Sequence, residues 1–263
     1  MIKAAFFDID GTLVPFGERS MPDDTRAALL ELRARGVKLF ISTGRHYTWI
    51  NNLGDFEFDG YVTVNGGLVV KADGRTPIYT HPIDDADLER FVAYTERHPE
   101  ITFIAVPVSG NIFRIHDNAD YRQIQELLHL PDVPERPARD VLAEPIVQLM
   151  FFANCEMVQS TDLFTTVLPG CVPTSWHPVF ADIVPKGSNK GIGVDMMLAD
   201  HGLSLDEALA FGDGHNDMEM LRHVPHSVAM GNAAPDVKAT ASYVTTADTE
   251  GGIRHALKHF GLL

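Results

Sequence analysis

Two acidic motifs, far apart along the chain, contain side chains that could support nucleophilic, acid–base or metal-dependent chemistry. The first is Asp8-Ile-Asp10-Gly-Thr-Leu, in which two carboxylates lie two residues apart. One carboxylate of such a pair can attack an electrophile or bind a metal while the other transfers a proton. Taken alone, Asp-x-Asp is equally consistent with a solvated turn.

The second motif, Gly-Asp-Gly-His-Asn-Asp at 212–217, combines flexible backbone with carboxylates. Its glycines permit a sharp turn, and its carboxylates can converge on a cation. Mg²⁺ prefers one or two carboxylates together with water and phosphate oxygens. A calcium-type loop or a plain turn remains an alternative, although the motif lacks the EF-hand spacing and its terminal Glu.

Two further segments could contact an anion. The segment Ser-Thr-Gly-Arg at 42–45 offers hydroxyls and backbone amides that can bind phosphate oxygens, or it can simply cap a helix. Lys190, at a predicted helix start, could neutralise charge on a nucleophile and a phosphoryl group, or it could be a surface lysine. Lys186, four residues earlier, is the second candidate for this role.

The elements that must position these residues form a regular pattern in the first part of the chain. Apolar runs at 2–7, 37–42 and 60–64 predict buried parallel strands, and the first two end at candidate residues. A helix from Pro22 to just before Gly36 joins the first two strands into a βαβ unit. Because open parallel sheets bind ligands at the carboxyl ends of their strands, the candidate residues should meet at one edge.

The pattern changes in the middle of the chain and then returns. Between 83 and 184 we predict an α+β module with an antiparallel sheet, with helices over 85–98, 119–129 and 156–168. After 185 the alternation of strands and helices resumes, with helices over 189–201, 216–222, 234–240 and 250–259. The predicted architecture is therefore an α/β core of 1–82 and 185–263, interrupted by a module of 83–184.

Composition limits the classes of function. The 263 residues are 45% hydrophobic, enough to bury a full core, and their net charge is −15. This acidity argues against a nucleic-acid partner and against docking on anionic membranes. The N-terminus lacks a signal sequence, no apolar stretch approaches a membrane span, and Cys155 and Cys171 fit reduced thiols. We therefore expect a cytoplasmic protein, either a monomer or a homodimer.

The order of the motifs resembles that of the haloacid dehalogenase-like phosphatases. The match is closest to the Cof-type branch, in which a large α+β cap (type II, C2B) is inserted after the third strand of a Rossmann-like core. Val64-Asn-Gly-Gly, Ala229-Met-Gly-Asn-Ala and Glu250-Gly-Gly are also similar to that branch, so the resemblance covers essentially the whole chain.

The resemblance implies a role for each matching residue. Asp8 would be the nucleophile that forms an aspartyl-phosphate, and Asp10 would protonate the leaving alcohol and then activate water. Thr43 would hold a phosphoryl oxygen, with Ser42 as the second candidate, and Lys190 would stabilise charge.

The resemblance also implies a Mg²⁺ cofactor and a set of residues that bind the substrate. The metal would be bound by Asp8, the Asp10 main-chain carbonyl and Asp213, with support from Asp217. Contacts with the substrate would come from Thr43, Gly44, Arg45 and Asn216.

The function implied by the resemblance is the hydrolysis of a small phosphorylated metabolite, such as a sugar phosphate. Asp10 favours a phosphatase or a phosphomutase, because the family's dehalogenases lack an acid–base Asp at this position and its transport ATPases have Thr. A phosphomutase and a non-catalytic phosphometabolite sensor are the rival interpretations. Arg114, on a predicted strand of the module, could reach a second anionic group.

Overall fold

The computed structural model describes residues 1–128 and 130–263 and divides the chain into two compact units. The core unit consists of Met1–Tyr79 and Asn189–Leu263, and the inserted unit is Thr80–Ser188.

An eight-stranded sheet forms the centre of the core unit, in the order β13-β12-β11-β1-β2-β3-β4-β5. The strands are β1 Ala4–Phe7, β2 Lys38–Ser42, β3 Gly60–Thr63, β4 Leu68–Lys71, β5 Pro77–Thr80, β11 Ala208–Gly212, β12 His226–Ala229 and β13 Tyr243–Val244. All neighbours from β13 to β3 are parallel, and β4 runs antiparallel to β3. Strand β1, with the sequence AAFF, is buried at every position, as a strand covered on both faces should be.

Helices cover both faces of this sheet, which makes the core unit a doubly wound α/β fold. They are α1 Asp23–Ala34, α5 Lys190–His201, α6 Met218–His223, α7 Pro235–Lys238 and α8 Gly252–His259. One apolar cluster includes residues of α1 and α8, and another includes residues of α5 and α6. The predicted fold class is confirmed.

Helix α1 shows how the sequence sets the boundaries of an element. It begins after Pro22, with Asp23 and Asp24 in its first turn, where the helix dipole favours negative charge. Beyond its end, Gly36 has φ +84°, a left-handed conformation that glycine adopts at little cost. Both predicted ends of this helix are confirmed.

The inserted unit is an antiparallel sheet with helices, as predicted. Its strand order is β7-β6-β8-β10-β9. The strands are β6 Thr102–Pro107, β7 Phe113–Ile115, β8 Ile146–Phe152, β9 Cys171–His177 and β10 Phe180–Pro185; the helices are α2 Asp85–Arg97, α3 Ala119–Leu128 and α4 Cys155–Gln159. Apolar residues of α2 and of the strands form one buried cluster, so this unit has a core of its own.

Some predicted helices differ from the observed ones. The single helix expected over 156–168 is wrong, because α4 ends at Gln159 and a separate turn of π-helix spans Leu163–Val167. The hydroxyls of Ser160 and Thr161 donate to the α4 carbonyls of Met157 and Val158, which offers the backbone an alternative to continuing the helix.

Other helix boundaries differ from the predicted ones by one or two residues. Helices α6 and α8 each begin later than predicted, after a short 3₁₀ turn. Helix α3 is described as far as Leu128, and the last residue predicted for it, 129, lies outside the described residues. Within residues 1–128 and 130–263, no helix combines the length and apolar character needed to cross a membrane.

Candidate active site

Three neighbouring strands bring the candidate motifs to one edge of the core sheet. Strand β1 lies between β2 and β11, and all three run in the same direction. Asp8 follows β1, Thr43 follows β2, and Asp213 follows β11. The parallel register therefore places the ends of these strands side by side, as the sequence predicted.

Lys190 is the first residue of α5 and its ammonium group lies among carboxylates. Its Nζ donates to Asp8 Oδ1 and to Asp217 Oδ1, each at 2.6 Å, and its side chain is fully buried. The Asn189 side chain caps α5 by accepting a hydrogen bond from Ile192 N, which fixes the start of the helix. Lys186, the other candidate, is exposed in the inserted unit.

The loop after β11 folds around the carboxylate of Asp217, the second Asp of the motif at 212–217. Asp217 Oδ2 accepts hydrogen bonds from the backbone N–H groups of Asp213 and Gly214, at 3.0 and 2.9 Å. A Cβ at Gly212 would lie 2.5 Å from Asp217 Cγ, so this close approach requires glycine. The Thr12 hydroxyl donates to Asp213 Oδ1 at 2.8 Å and holds that carboxylate in place.

Asp10 is paired with an arginine and does not join the other carboxylates. Arg45 Nε and Nη2 donate to the two Asp10 oxygens at 2.7 and 2.8 Å, a bidentate arrangement. Both side chains are partly exposed. Thr43 is buried, and its hydroxyl oxygen accepts a hydrogen bond from Arg45 N at 3.2 Å.

We call Asp8, Lys190, Asp213 and Asp217 the buried charge cluster. Burial raises the pKa of the Asp8 carboxyl well above its ordinary value, and the opposing effect of the Lys190 ammonium does not cancel it. Burial, with the charge of Asp217, raises the pKa of Asp213 to about 7. Burial alone would lower the pKa of Lys190, but the carboxylates of Asp217 and Asp8 outweigh it and raise that pKa.

The cluster has the composition of a magnesium site. Potential ligand atoms of Asp8, Asp213 and Asp217 lie within 4.8 Å of one another. With all three ionised, the cluster has two more negative charges than Lys190 balances, which is the charge that a divalent cation neutralises. Hard carboxylate oxygens are the donors that Mg²⁺ prefers, so the residues fit this ion.

A family comparison identifies the protein class to which this arrangement belongs. The sequence profile of the haloacid dehalogenase-like hydrolases matches residues 5–257. The chain belongs to this family.

The comparisons with individual proteins agree with the family. The chain is 36% identical to the haloacid dehalogenase subclass IIB sugar phosphatase BT4131, with a TM-score of 0.88 over 99% of this chain and 100% of that chain. It is 29% identical to YkrA of Bacillus subtilis strain 168 over 99% of this chain and 98% of YkrA, a protein that is provisionally named a phosphatase. It is also 29% identical to the HMP-PP phosphatase of Serratia proteamaculans, over 99% of this chain and 96% of that protein. The chain is thus a phosphatase of the haloacid dehalogenase-like family.

Two residues of this haloacid dehalogenase-like site were not given a role from sequence. Thr12 holds Asp213, and Asn65 Oδ1 accepts a hydrogen bond from Asn216 Nδ2 at 2.9 Å. Both belong to segments that resemble those of the family, but their partners lie far away in sequence. Gly44 lies against Asn65, because a Cβ at position 44 would be 3.2 Å from Asn65 Oδ1.

Proposed function

We propose that this phosphatase is Mg²⁺-dependent and hydrolyses a small phosphorylated metabolite, such as a sugar phosphate, through an aspartyl-phosphate on Asp8. The observation that carries the proposal is the buried Lys190 ammonium, 2.6 Å from both Asp8 and Asp217, at the carboxyl end of β1. A carboxylate at a strand end is placed to attack, and the fixed ammonium group beside it offsets part of the effect of burial, which disfavours the ionised, nucleophilic form.

In the first half of the reaction, an Asp8 carboxylate oxygen attacks phosphorus and the bond to the substrate alcohol breaks. Asp10 gives its proton to the departing oxygen. Thr43 and the backbone of Gly44 hold phosphoryl oxygens, and Lys190 offsets the repulsion between carboxylate and phosphate. Arg45, which faces Asp10 in the free protein, orients that acid and contacts the substrate together with Asn216.

In the second half, water attacks the phosphorus of the aspartyl-phosphate. Asp10, now ionised, takes a proton from this water, and the bond between phosphorus and the Asp8 oxygen breaks. Inorganic phosphate leaves and the Asp8 carboxylate is restored.

The buried charge cluster and the Asp10 main-chain carbonyl would hold the metal ion. Both Asp217 oxygens already accept hydrogen bonds, so Asp8 and Asp213 have more free lone pairs for direct coordination, with Asp217 in support. When bound, Mg²⁺ supplies positive charge against the nucleophile and the phosphoryl oxygens. We also propose the cytoplasm as the compartment, because the thiols of Cys155 and Cys171 are both free.

The test is phosphate release from a panel of phosphorylated metabolites, with and without Mg²⁺, by the wild type and by Asp8→Asn. We expect Mg²⁺-dependent turnover in the wild type and a loss of at least about 10³-fold in Asp8→Asn, because the amide is not a nucleophile. Asp55→Asn is the matched control, since Asp55 is exposed and pairs with Arg26.

A second measurement follows the covalent intermediate directly. After acid quenching with a radiolabelled substrate, label should remain on the wild-type protein and be absent from Asp8→Asn. Turnover that survives Asp8→Asn would contradict the proposal. Turnover that requires a bisphosphate and releases little phosphate would indicate a phosphomutase, and specific binding without any turnover would indicate a sensor.

A further inference from the structure

Three consecutive residues next to the site have a left-handed backbone. Val64, Asn65 and Gly66 have φ angles of +54°, +51° and +85°. This conformation is unfavourable for L-residues, and for a β-branched residue such as Val64 it is a clear outlier. Val64 and Asn65 are also buried. Such strain persists where the surrounding structure determines it, which often occurs at functional sites.

The left-handed turn at 64–66 fixes the backbone of the segment that contains Thr43. Val64 N donates to Arg45 O at 3.2 Å, and Asn65 N donates to Thr43 O at 3.1 Å. Gly44 lies between these two contacts and faces the Asn65 amide. The turn thus holds both sides of the proposed phosphate-binding segment.

The same turn contacts the two other segments of the site. Asn65 Oδ1 accepts a hydrogen bond from Asn216 Nδ2 at 2.9 Å, which connects the turn to the loop that contains Asp213 and Asp217. A Cβ at Gly66 would fall 2.0 Å from the carbonyl oxygen of Asn189, so the turn packs directly against the start of α5. The turn therefore lies where all three segments meet.

We propose that Asn65 is a positioning residue for phosphoryl transfer, which holds Asn216 and the Gly44 backbone at a fixed distance from Lys190. This inference rests on the proposed function. Asn65 acts through other residues, because its amide oxygen accepts a hydrogen bond from Asn216 and does not contact a reacting group. Phosphoryl transfer depends on positioning more than on covalent chemistry by the protein, so a small displacement of these groups should be costly.

The test is a double-mutant cycle with Asn65→Gly and Asn216→Ala. Glycine keeps the left-handed backbone and removes only the amide, so the backbone hydrogen bonds to the 43–45 segment are retained. We expect each single variant to lower kcat/KM about tenfold, and the double variant to lose less than the product of the two single losses, because both changes remove the shared contact between Asn65 and Asn216.

The matched control is His116→Gly. His116 is also a non-glycine residue with positive φ, at +63°, and it lies in the inserted unit with its side chain bonded to Thr95 O. We expect this variant to keep the wild-type kcat/KM. An unchanged kcat/KM in Asn65→Gly, losses that multiply in the double variant, or an equal loss in His116→Gly would each overturn the inference.

A binding measurement separates this inference from the proposed function. Orthovanadate, which adopts the five-coordinate geometry of a phosphoryl group in transfer, can be titrated calorimetrically in the presence of Mg²⁺ without any turnover. We expect Asn65→Gly to bind vanadate about tenfold more weakly than the wild type. If the wild type releases no phosphate from any ester, the proposed function is wrong, and equal vanadate affinities would then overturn the role of Asn65 as well.

Discussion

Each unit of this phosphatase contains a cluster in which carboxylates outnumber cations, but the surroundings of the two clusters differ. In the core unit, the side chains of Lys190 and Asp217 are both 0% exposed. In the inserted unit, an exposed charge cluster contains carboxylates such as Asp132, which is 71% exposed. That cluster consists of Arg122, Asp117, Asp132 and Glu135 around Arg114, the one member whose side chain is largely covered, at 13% exposed.

The two clusters differ chiefly in burial, which removes charges from the water that would otherwise screen them. Water and salt screen the exposed pairs, so each contributes little to stability. In the buried cluster, burial and the neighbouring charges raise the pKa values of Asp8 and Asp213, and the excess of negative charge favours binding of a cation. The Arg45–Asp10 pair, partly exposed, lies between these two extremes.

The largest effect should come from removing the buried cation. Lys190→Met keeps the length and apolar stem of the side chain but leaves three carboxylates facing one another. We expect no measurable turnover, and a free energy of unfolding lower by about 3–5 kcal/mol in urea at neutral pH. Excess Mg²⁺ should recover part of this stability, because it binds only the folded protein. If Lys190→Met and the wild type had the same free energy of unfolding in the absence of Mg²⁺, the proposed difference between the two clusters would be contradicted.

An intermediate and selective effect should come from the half-exposed pair. We expect Arg45→Gln to lower kcat/KM for alkyl phosphates about 10- to 100-fold and to change p-nitrophenyl phosphate hydrolysis much less. An alkoxide leaving group departs readily only when Asp10 donates a proton to it, whereas p-nitrophenolate departs without protonation. The ratio of the two rates is the measurement, with Arg26→Gln, at an exposed pair of the same unit, as control. Equal losses on both esters would assign Arg45 to substrate binding alone.

The smallest effect should come from the exposed charge cluster. Arg122 pairs with Asp117 and Asp132 in the inserted unit. We expect Arg122→Met to shift the melting temperature by less than about 2 °C and to leave kcat/KM unchanged, because exposed pairs contribute little. Thermal unfolding at low and high salt checks this. A shift as large as that of Lys190→Met would contradict the role assigned to burial.

The sequence predicted most of the features that depend on local chemistry. Apolar runs before Asp8 and Thr43 indicated parallel strands, and the parallel direction then required their ends to meet at one edge. Pro22 and Gly36 set both ends of α1 through backbone geometry that needs no tertiary contact. The catalytic and metal-binding roles of Asp8, Asp10 and the other site residues stay predictions until the variants are measured.

The features that the sequence did not predict depend on contacts between distant segments. No local pattern pairs Thr12 with Asp213 or Asn65 with Asn216, since these side chains are brought together only by the folded sheet. Nor did the sequence indicate the partners of Arg114, which donates to Val133 O at 2.8 Å and pairs with Asp132 and Glu135; that it could reach a second anionic group stays a prediction.

The position of β1 in the core sheet has a consequence for how the chain is made. One neighbour, β2, follows within the same βαβ unit, but the other, β11, pairs Ala4 with Ala208 and leaves the ribosome only after the whole inserted unit. Throughout that interval one edge of β1 has unpaired backbone groups, which is the condition that favours association with other chains. Such long-range pairing is also slow to form. The nascent chain therefore acquires Asp8 first and the loop with Asp213 and Asp217 last, so the buried charge cluster is completed only near the end of synthesis.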